Sequence, residues 1–372
     1  MVQLTELIFR DAHQSLLATR MRTEDMLPIT KTIDQVGFFA LEVWGGATFD
    51  VCLRYLAEDP WERLKTLKEH MPNTPMQMLE RAMNIVAYSN FPDDIVEKFI
   101  EYAHKDGVDY FRVFDALNDL RNMKVPIEAV KKVGAHAQGS LCYTISPVHT
   151  VEYYVETFEK LEEMGCDSLC LKDMAGMVSP SKAYKIIHAC KEAIKVPICL
   201  HSHTTSGMTM LSYMKACEAG VDLLDCAMSP ISGGAGHPPT ESIVAALKDS
   251  PYDTGYDLEL LMECRKYFLK VWEKYGHLHR ERAMMVDPSV IVHQIPGGML
   301  SNLIIQLEKF GAVDKYLEVL EETHRVQKDL GWPPLVTPTS QIVGVQAVMN
   351  VLFGRYKRVL EETKNYVKGM YG

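Results

Sequence analysis

Short apolar runs alternate with stretches of helical periodicity from residue 4 to about residue 247. The runs that read as strands are Leu4–Phe9, Phe39–Val43, Met76–Leu79, Tyr110–Phe114, Ser140–Thr144, Ser168–Leu171, Val196–Leu200 and Leu223–Ala227. Between them, apolar positions recur three and four residues apart. Val151, Tyr154, Val155, Phe158 and Leu161 share one face of a helix over Val151–Met164, and Gly165 supplies its stop. Eight strands with seven intervening helices, and an eighth helix starting at Thr240-Glu241, match an α/β fold of the (βα)8 TIM-barrel type. A doubly wound open sheet gives a similar alternation with fewer strands. The pattern predicts a barrel over residues 1–250.

Beyond residue 250 the strand-like runs stop. Helical patterns cover Leu258–Tyr275, Leu300–Phe310, Asp314–Leu330 and Gln341–Leu352, and a last helix-like stretch covers Arg355–Tyr371. The turns Ile295-Pro-Gly-Gly and Trp332-Pro-Pro separate some of them. A C-terminal all-helical domain over residues 251–372, packed against the barrel, is expected.

Composition changes this picture only by exclusion. Of 372 residues, 47% are hydrophobic and 24% charged, as in an ordinary soluble enzyme. A net charge of −10 leaves no surplus of Lys and Arg to neutralise phosphates, which argues against nucleic acid as a partner. No apolar run approaches the length of a bilayer span, and the N-terminus lacks the layout of a signal peptide. Nine cysteines are scattered without a CxxC pair, so a reducing cytoplasm is the expected setting. The 21 methionines read as core filler.

The chemistry gathers at strand ends. His201 and His203, two apart after a strand, leave on one face, and neutral imidazoles side by side can bind one divalent ion. Two polar residues at a strand end are the commoner meaning of a bare HxH. The C-terminal strand ends of a barrel form its active face, however, and Asp11 after the first strand adds a hard oxygen to that rim. Lys172, after the sixth strand, is the odd member. A protonated lysine repels a cation, so it joins such a site only as a neutral amine or as a carbamate formed with carbon dioxide. From spacing alone, a solvated lysine paired with Asp173 is the better reading.

Several longer motifs carry a resemblance. Arg10-Asp-Ala-His-Gln-Ser-Leu-Leu-Ala-Thr-Arg20, Trp44-Gly-Gly-Ala-Thr-Phe-Asp50, Glu58-Asp-Pro-Trp-Glu-Arg63, Phe111-Arg-Val-Phe-Asp115, Leu171-Lys-Asp-Met-Ala-Gly176 and His201-Ser-His203 resemble the biotin-dependent carboxyltransferase family. That family includes the carboxyltransferase domain of pyruvate carboxylase, the α subunit of oxaloacetate decarboxylase and the pyruvate-side subunit of transcarboxylase. The resemblance runs from about residue 4 to the end. It implies a barrel followed by a helical funnel-like domain, and a homodimer. It also implies metal ligands Asp11, His201, His203 and a carbamylated Lys172, holding Zn, Mn or Co.

The same matching makes Arg10, Gln14, Asp50, Arg81 and Tyr88 substrate-pocket residues, with Gln14, Arg81 and Lys172 catalytic. A guanidinium fork at Arg81 suits the planar carboxylate of a keto acid. In the motif Gly297-Gly-Met-Leu-Ser301-Asn302, the resemblance gives Ser301 a proton relay between biotin and substrate, whereas the residue alone reads as a helix N-cap.

Two departures refine the expectation. The loop Ser232-Gly-Gly-Ala-Gly236-His237-Pro-Pro-Thr-Glu-Ser242 lacks the Thr-Ser-Gln typical of pyruvate carboxylase and looks more like the decarboxylase and transcarboxylase subunits. No Met-Lys-Met biotin-attachment motif and no ATP-grasp portion occurs, so biotin is expected on a separate carrier domain or chain. The expected reaction is carboxyl transfer between oxaloacetate and biotin, yielding pyruvate and carboxybiotin, in the manner of oxaloacetate decarboxylase. The alternative is the carboxyltransferase-bearing subunit of a pyruvate carboxylase, or the pyruvate-side subunit of transcarboxylase, running toward oxaloacetate. Membrane decarboxylase subunits are partners on the first reading, with the chain cytoplasmic or peripheral to a membrane complex. A related acyl-CoA metallolyase or Claisen-type synthase, and a non-enzymatic scaffold that binds a biotin carrier, are more distant readings.

Overall fold

The computed structural model describes residues 1–279, 281–295, 303–304 and 306–371. Eight parallel strands close into a barrel in chain order. They are β1 (Gln3–Glu6), β2 (Ala40–Gly45), β3 (Met76–Glu80), β4 (Tyr110–Phe114), β5 (His136–Cys142), β6 (Ser168–Asp173), β7 (Ile198–Ser202) and β8 (Leu223–Cys226). β1 closes on β8 with Leu4 opposite Leu224 and Glu6 opposite Cys226. The expected TIM barrel is therefore present, with a helical region after it. Strand edges are abolished by closure, so every strand can be buried on both faces.

Most strand boundaries shift by one or two residues, and three boundaries differ by more, each for a local reason. The first apolar run does not stay extended. β1 stops at Glu6, whose carboxylate accepts from the Ile8 and Met228 amides at 3.0 and 2.9 Å, and Ile8–Ala12 winds into a π-helical turn. Leu7, Ile8 and Phe9 are buried there regardless, so hydrophobicity alone could not separate strand from turn. β5 begins four residues early because its polar residues face polar partners. His136 stacks on Tyr110 at 4.2 Å, and Gln138 takes Arg112 inside the barrel. Near the C-terminus, only Glu361–Val367 of the stretch 355–371 is helical. Residues 354–360 turn instead, with Tyr356 at φ 54° and the Gln346 side chain holding the Arg358 carbonyl and the Leu360 amide at 2.9 and 3.1 Å.

Helices after the strands start with sequence-coded caps. Asp59, Asp119, Thr150 and Ser179 each accept a first-turn amide of the helix that follows, which satisfies donors no helix can satisfy itself. Helix Leu258–Tyr275 buries Leu261, Cys264, Phe268 and Val271 in the same core as the barrel. A second core joins Ile295, Leu303, Leu307, Val319, Val343 and Ala347. Between these two cores, residues 281–295 lie over the barrel mouth. The Ala235 amide donates to the Ala283 carbonyl at 2.6 Å, and the Asp287 amide to Thr205 at 2.8 Å. Gly234 makes this possible. Its φ is +53°, and a Cβ there would come within 2.6 Å of Met284 Cα.

The loop after β5 yields a pH prediction. His149 packs edge-on against Tyr153 with its Nδ1 2.7 Å from Ser146 Oγ, and burial pushes its pKa down to about 4. The unfolded chain, with a histidine pKa of about 6.5, takes up a proton that the folded state refuses. The stability this group contributes is complete above about pH 6.5 and is lost as pH falls toward 4. The Tm of the wild type is therefore expected to fall relative to that of His149→Gln on acidification across this window. Parallel melting curves at every pH would refute it.

Candidate metal centre

The site begins with charge placed inside the barrel. Arg112 on β4 points inward, takes Gln138 Oε1 at 2.5 Å and grips Asp225 of β8 in a two-point ion pair, all fully buried. Asp225 Oδ2 also accepts from His201 Nδ1 at 2.7 Å. That bond fixes the His201 tautomer and leaves its Nε2 lone pair facing the rim. Glu42 of β2 plays the same part for Arg10, accepting Nε and Nη2 at 2.8 and 2.9 Å. Arg10 then donates to Asp11 Oδ2 at 2.7 Å and to Gln14 Oε1 at 2.9 Å.

The π-helical turn at Ile8–Ala12 aims Asp11 inward, where three imidazoles converge on one of its oxygens. His201 Nε2, His203 Nε2 and His237 Nε2 lie 3.8, 4.0 and 3.7 Å from Asp11 Oδ2. The four ligand atoms all fall within 4.8 Å of one another. His203 donates Nδ1–H to the Ala235 carbonyl at 2.7 Å, so its Nε2 is bare. Burial would raise the Asp11 carboxyl, but the Arg10 guanidinium leads the neighbours that hold it well below the usual carboxylate range. Burial lowers all three histidines, and Lys172 lowers His201 further, so the imidazoles are neutral donors. Among the described residues, the buried His203 Nε2 and His237 Nε2 have no hydrogen-bond partner, and such nitrogens around an ionised carboxylate fit a divalent cation.

Lys172 joins the cluster rather than solvent. It is fully buried, with Nζ 3.0 Å from His201 Nε2 and 3.8 Å from Asp11 Oδ2. The pairing with Asp173 that spacing favours does not form. Successive strand residues point to opposite faces, and Asp173 accepts from Ser202 Oγ and the Val178 amide at 2.9 and 2.7 Å.

A cavity of about 570 Å³ opens beside the centre. Arg10, Asp11, Gln14, Arg81 and His203 line it from the barrel, and Gln306, Lys309, Ser340 and Gln341 line it from the helical region. Arg81 Nη1 is fixed by the Val86 and Ala87 carbonyls at 3.2 and 3.1 Å, and its Cζ lies 4.9 Å from the Tyr88 ring centre. Gly46 is needed beneath it, since a Cβ there would meet Arg81 Cζ at 2.7 Å. Tyr88 and Asp50 are not brought into the cavity wall. Tyr88 is about half exposed, and Asp50 pairs with Arg54 at 2.7 Å. Ser301 and Asn302 lie outside the described residues.

Sequence reading did not single out His237, Asp225 or Glu42. The signal for His237 is one residue in a glycine-rich loop after the eighth strand. For the two acids it is a carboxylate inside an apolar run, Leu223-Leu-Asp-Cys226 and Ala40-Leu-Glu-Val43.

The known proteins to which the chain is similar include carboxylases and a carboxyltransferase. A family profile described as "Conserved carboxylase domain" matches residues 290–372, and one described as "HMGL-like" matches residues 95–267. The chain is 61% identical over its full length to a pyruvate carboxylase subunit of Methanocaldococcus jannaschii, of which it spans 66%, just under two thirds. It is 51% identical over its full length to the methylmalonyl-CoA carboxyltransferase 5S subunit of Propionibacterium freudenreichii subsp. shermanii, spanning 74% of that protein. The carboxyl transferase domain of Rhizobium etli pyruvate carboxylase, solved with pyruvate, superposes with a TM-score of 0.95 at 37% identity. That match covers all of this chain and 65% of the other.

Removing one charge from the barrel floor tests the arrangement. Arg112→Met leaves the Asp225 carboxylate buried without its guanidinium and is expected to destabilise the fold by about 3–5 kcal/mol in urea unfolding. A loss below about 1 kcal/mol would mean the pair contributes no more than a surface salt bridge.

Proposed function

The chain belongs to the biotin-dependent carboxyltransferase family, and from that premise we propose that it moves a carboxyl group between biotin, held on a separate carrier, and pyruvate. The observation that carries this reading is the convergence of Asp11, His201 and His203 beside a cavity that also holds Arg81. The names of its relatives favour the direction from pyruvate to oxaloacetate. Decarboxylation of oxaloacetate, the direction expected from the loop around His237, is the same step reversed. A barrel domain and a helical domain dividing near residue 250, a homodimer and a cytoplasmic setting belong to the same proposal. Among the described residues, no helix is long and apolar enough to cross a membrane.

The residues divide the work by chemistry. Asp11, His201, His203 and Lys172, the last as a carbamate, would hold the divalent ion. Such an ion supplies Lewis acidity toward a keto oxygen. Carbamylation joins the neutral Lys172 amine through Nζ to the carbon of carbon dioxide and releases one proton, leaving an anion that attracts the ion. Arg81 would hold the keto acid's carboxylate, with the Val86 and Ala87 carbonyls keeping its guanidinium plane in place. Gln14, its Oε1 already taken by Arg10, has its amide N–H for the substrate. Ser301 would pass the proton between the biotin nitrogen and the methyl carbon of pyruvate.

The assay is pyruvate release from oxaloacetate with and without free biotin. Metal ions alone decarboxylate oxaloacetate, so only the biotin-dependent increment counts. Lys172→Ala is expected to abolish that increment. Arg81→Lys, which loses two-point recognition, is expected to lower kcat/KM about 10- to 150-fold, the range of one lost charged hydrogen bond. Full biotin-dependent turnover by Lys172→Ala would sink the ligand assignment. Dependence on an acyl-CoA in place of biotin would replace the reading.

A further inference from the structure

We propose that His237 is a protein ligand of the metal, so that this chain retains its ion through three imidazoles and one carboxylate whether or not Lys172 is modified. The inference rests on the reading that Asp11, His201 and His203 bind a divalent cation, and it adds a residue from a different loop to that set.

Three observations point to His237. The first is distance. Its Nε2 is 3.7 Å from Asp11 Oδ2, against 3.8 Å for His201 and 4.0 Å for His203, so it is no further from the shared oxygen than the two histidines on β7. Its ring centre lies 4.1 Å from that of His203 and 4.9 Å from that of His201. The second is its unmet bonding. His237 is fully buried, and among the described residues neither ring nitrogen has a hydrogen-bond partner. A neutral imidazole always offers one donor and one acceptor, and burying them unpaired costs about 1–3 kcal/mol each. A cation on Nε2 would satisfy the acceptor.

The third is that the loop holds this residue in place without using its side chain. The Gly233 amide donates to the His237 carbonyl at 2.8 Å, and the Thr204 amide donates to Gly236 at 2.9 Å, tying the loop to the β7 end beside His203. Ala235 of the same loop accepts the His203 Nδ1 proton. One loop thus orients one imidazole and supplies another.

The consequence concerns Lys172. In the structure its amine sits 3.0 Å from His201 Nε2, on the lone pair that an ion needs. With only Asp11, His201 and His203 as ligands, a free amine in that position would leave a weak site. A fourth donor from His237 lets the cation compete for His201 while Lys172 remains an amine. Four protein ligands fill a tetrahedral ion, whereas a six-coordinate ion such as Mn²⁺ or Co²⁺ keeps two positions open for substrate or for a Lys172 carbamate.

The test is Co²⁺ binding to metal-free protein in buffer stripped of carbon dioxide, read by the visible d–d spectrum and by competition with a chelator. In that buffer wild type is expected to bind one Co²⁺, and Lys172→Met, which removes the amine from the His201 lone pair, is expected to bind it at least as tightly. His237→Ala is expected to bind at least about tenfold more weakly with an altered spectrum, since even an outer partner of a ligand is worth 10- to 100-fold. His237→Phe, which keeps the ring without a donor, carries the same expectation if the alanine protein does not fold. Wild-type affinity and spectrum in the folded His237 variant, or loss of Co²⁺ from Lys172→Met, would overturn the proposal. His203→Ala separates the two readings: Co²⁺ binding unchanged there, or absent from wild type at any carbon dioxide level, would remove the metal centre itself.

Discussion

One carboxylate, Asp225, holds the floor of the barrel and the roof of its centre together. It neutralises Arg112, a fully buried guanidinium that would otherwise be among the costliest groups in the molecule, and takes the Nδ1 proton of His201. The oxygen that takes that proton is also one of the two gripped by Arg112, so the orientation of a candidate metal ligand is coupled to an ion pair spanning β4 and β8. Glu42 and Arg10 repeat the device on the other side, with Arg10 reaching up to Asp11. A barrel filled only with aliphatic side chains would pack well and would orient nothing at its rim. Here the interior polar residues orient His201 and Asp11 at the rim.

Much of this was legible in the chain. Alternation of short apolar runs with amphipathic helices is a strong signal because every strand of a closed parallel barrel is buried on both faces and every helix on one. The HxH pair and Asp11 were readable because strand ends define the active face once the barrel is assumed. Lys172 was not readable from spacing. Its neighbour Asp173 looks like a partner in sequence and points the other way in space. His237 was hidden for a different reason: loop residues carry no periodicity, so nothing in Gly-His-Pro-Pro says which way the imidazole turns. Asp225 and Glu42 looked like interruptions of apolar strands, and their meaning appears only when the arginines they face are known. The end of β1 was misplaced because a π-helical turn buries the same side chains that a strand would.

The helical region does more than cap the barrel. Its residues supply one wall of the cavity, with Gln306, Lys309, Ser340 and Gln341 opposite Arg10, Arg81 and His203. A pocket between two packed bodies suits a reaction between a small molecule and a group arriving on another chain, because each wall can be shaped for a different guest. Gln294 helps set the spacing of those walls, accepting the Thr144 hydroxyl and the Ile145 amide at 3.3 Å each across the junction.

The segment laid over the barrel mouth also limits how this sequence can drift. Gly234 has no room for a side chain because the backbone of Ala283 and Met284 lies against it, while a Cβ at Gly207 would come within 2.9 Å of a Val286 side-chain methyl. A substitution at Gly234 is viable only if the overlying segment moves, and that segment is bonded to the loop carrying Ala235 and His237. Residues 204–207, 233–237 and 283–287 therefore behave as one mechanical unit: a displacement of the overlying segment is passed to the loop that carries Ala235 and His237.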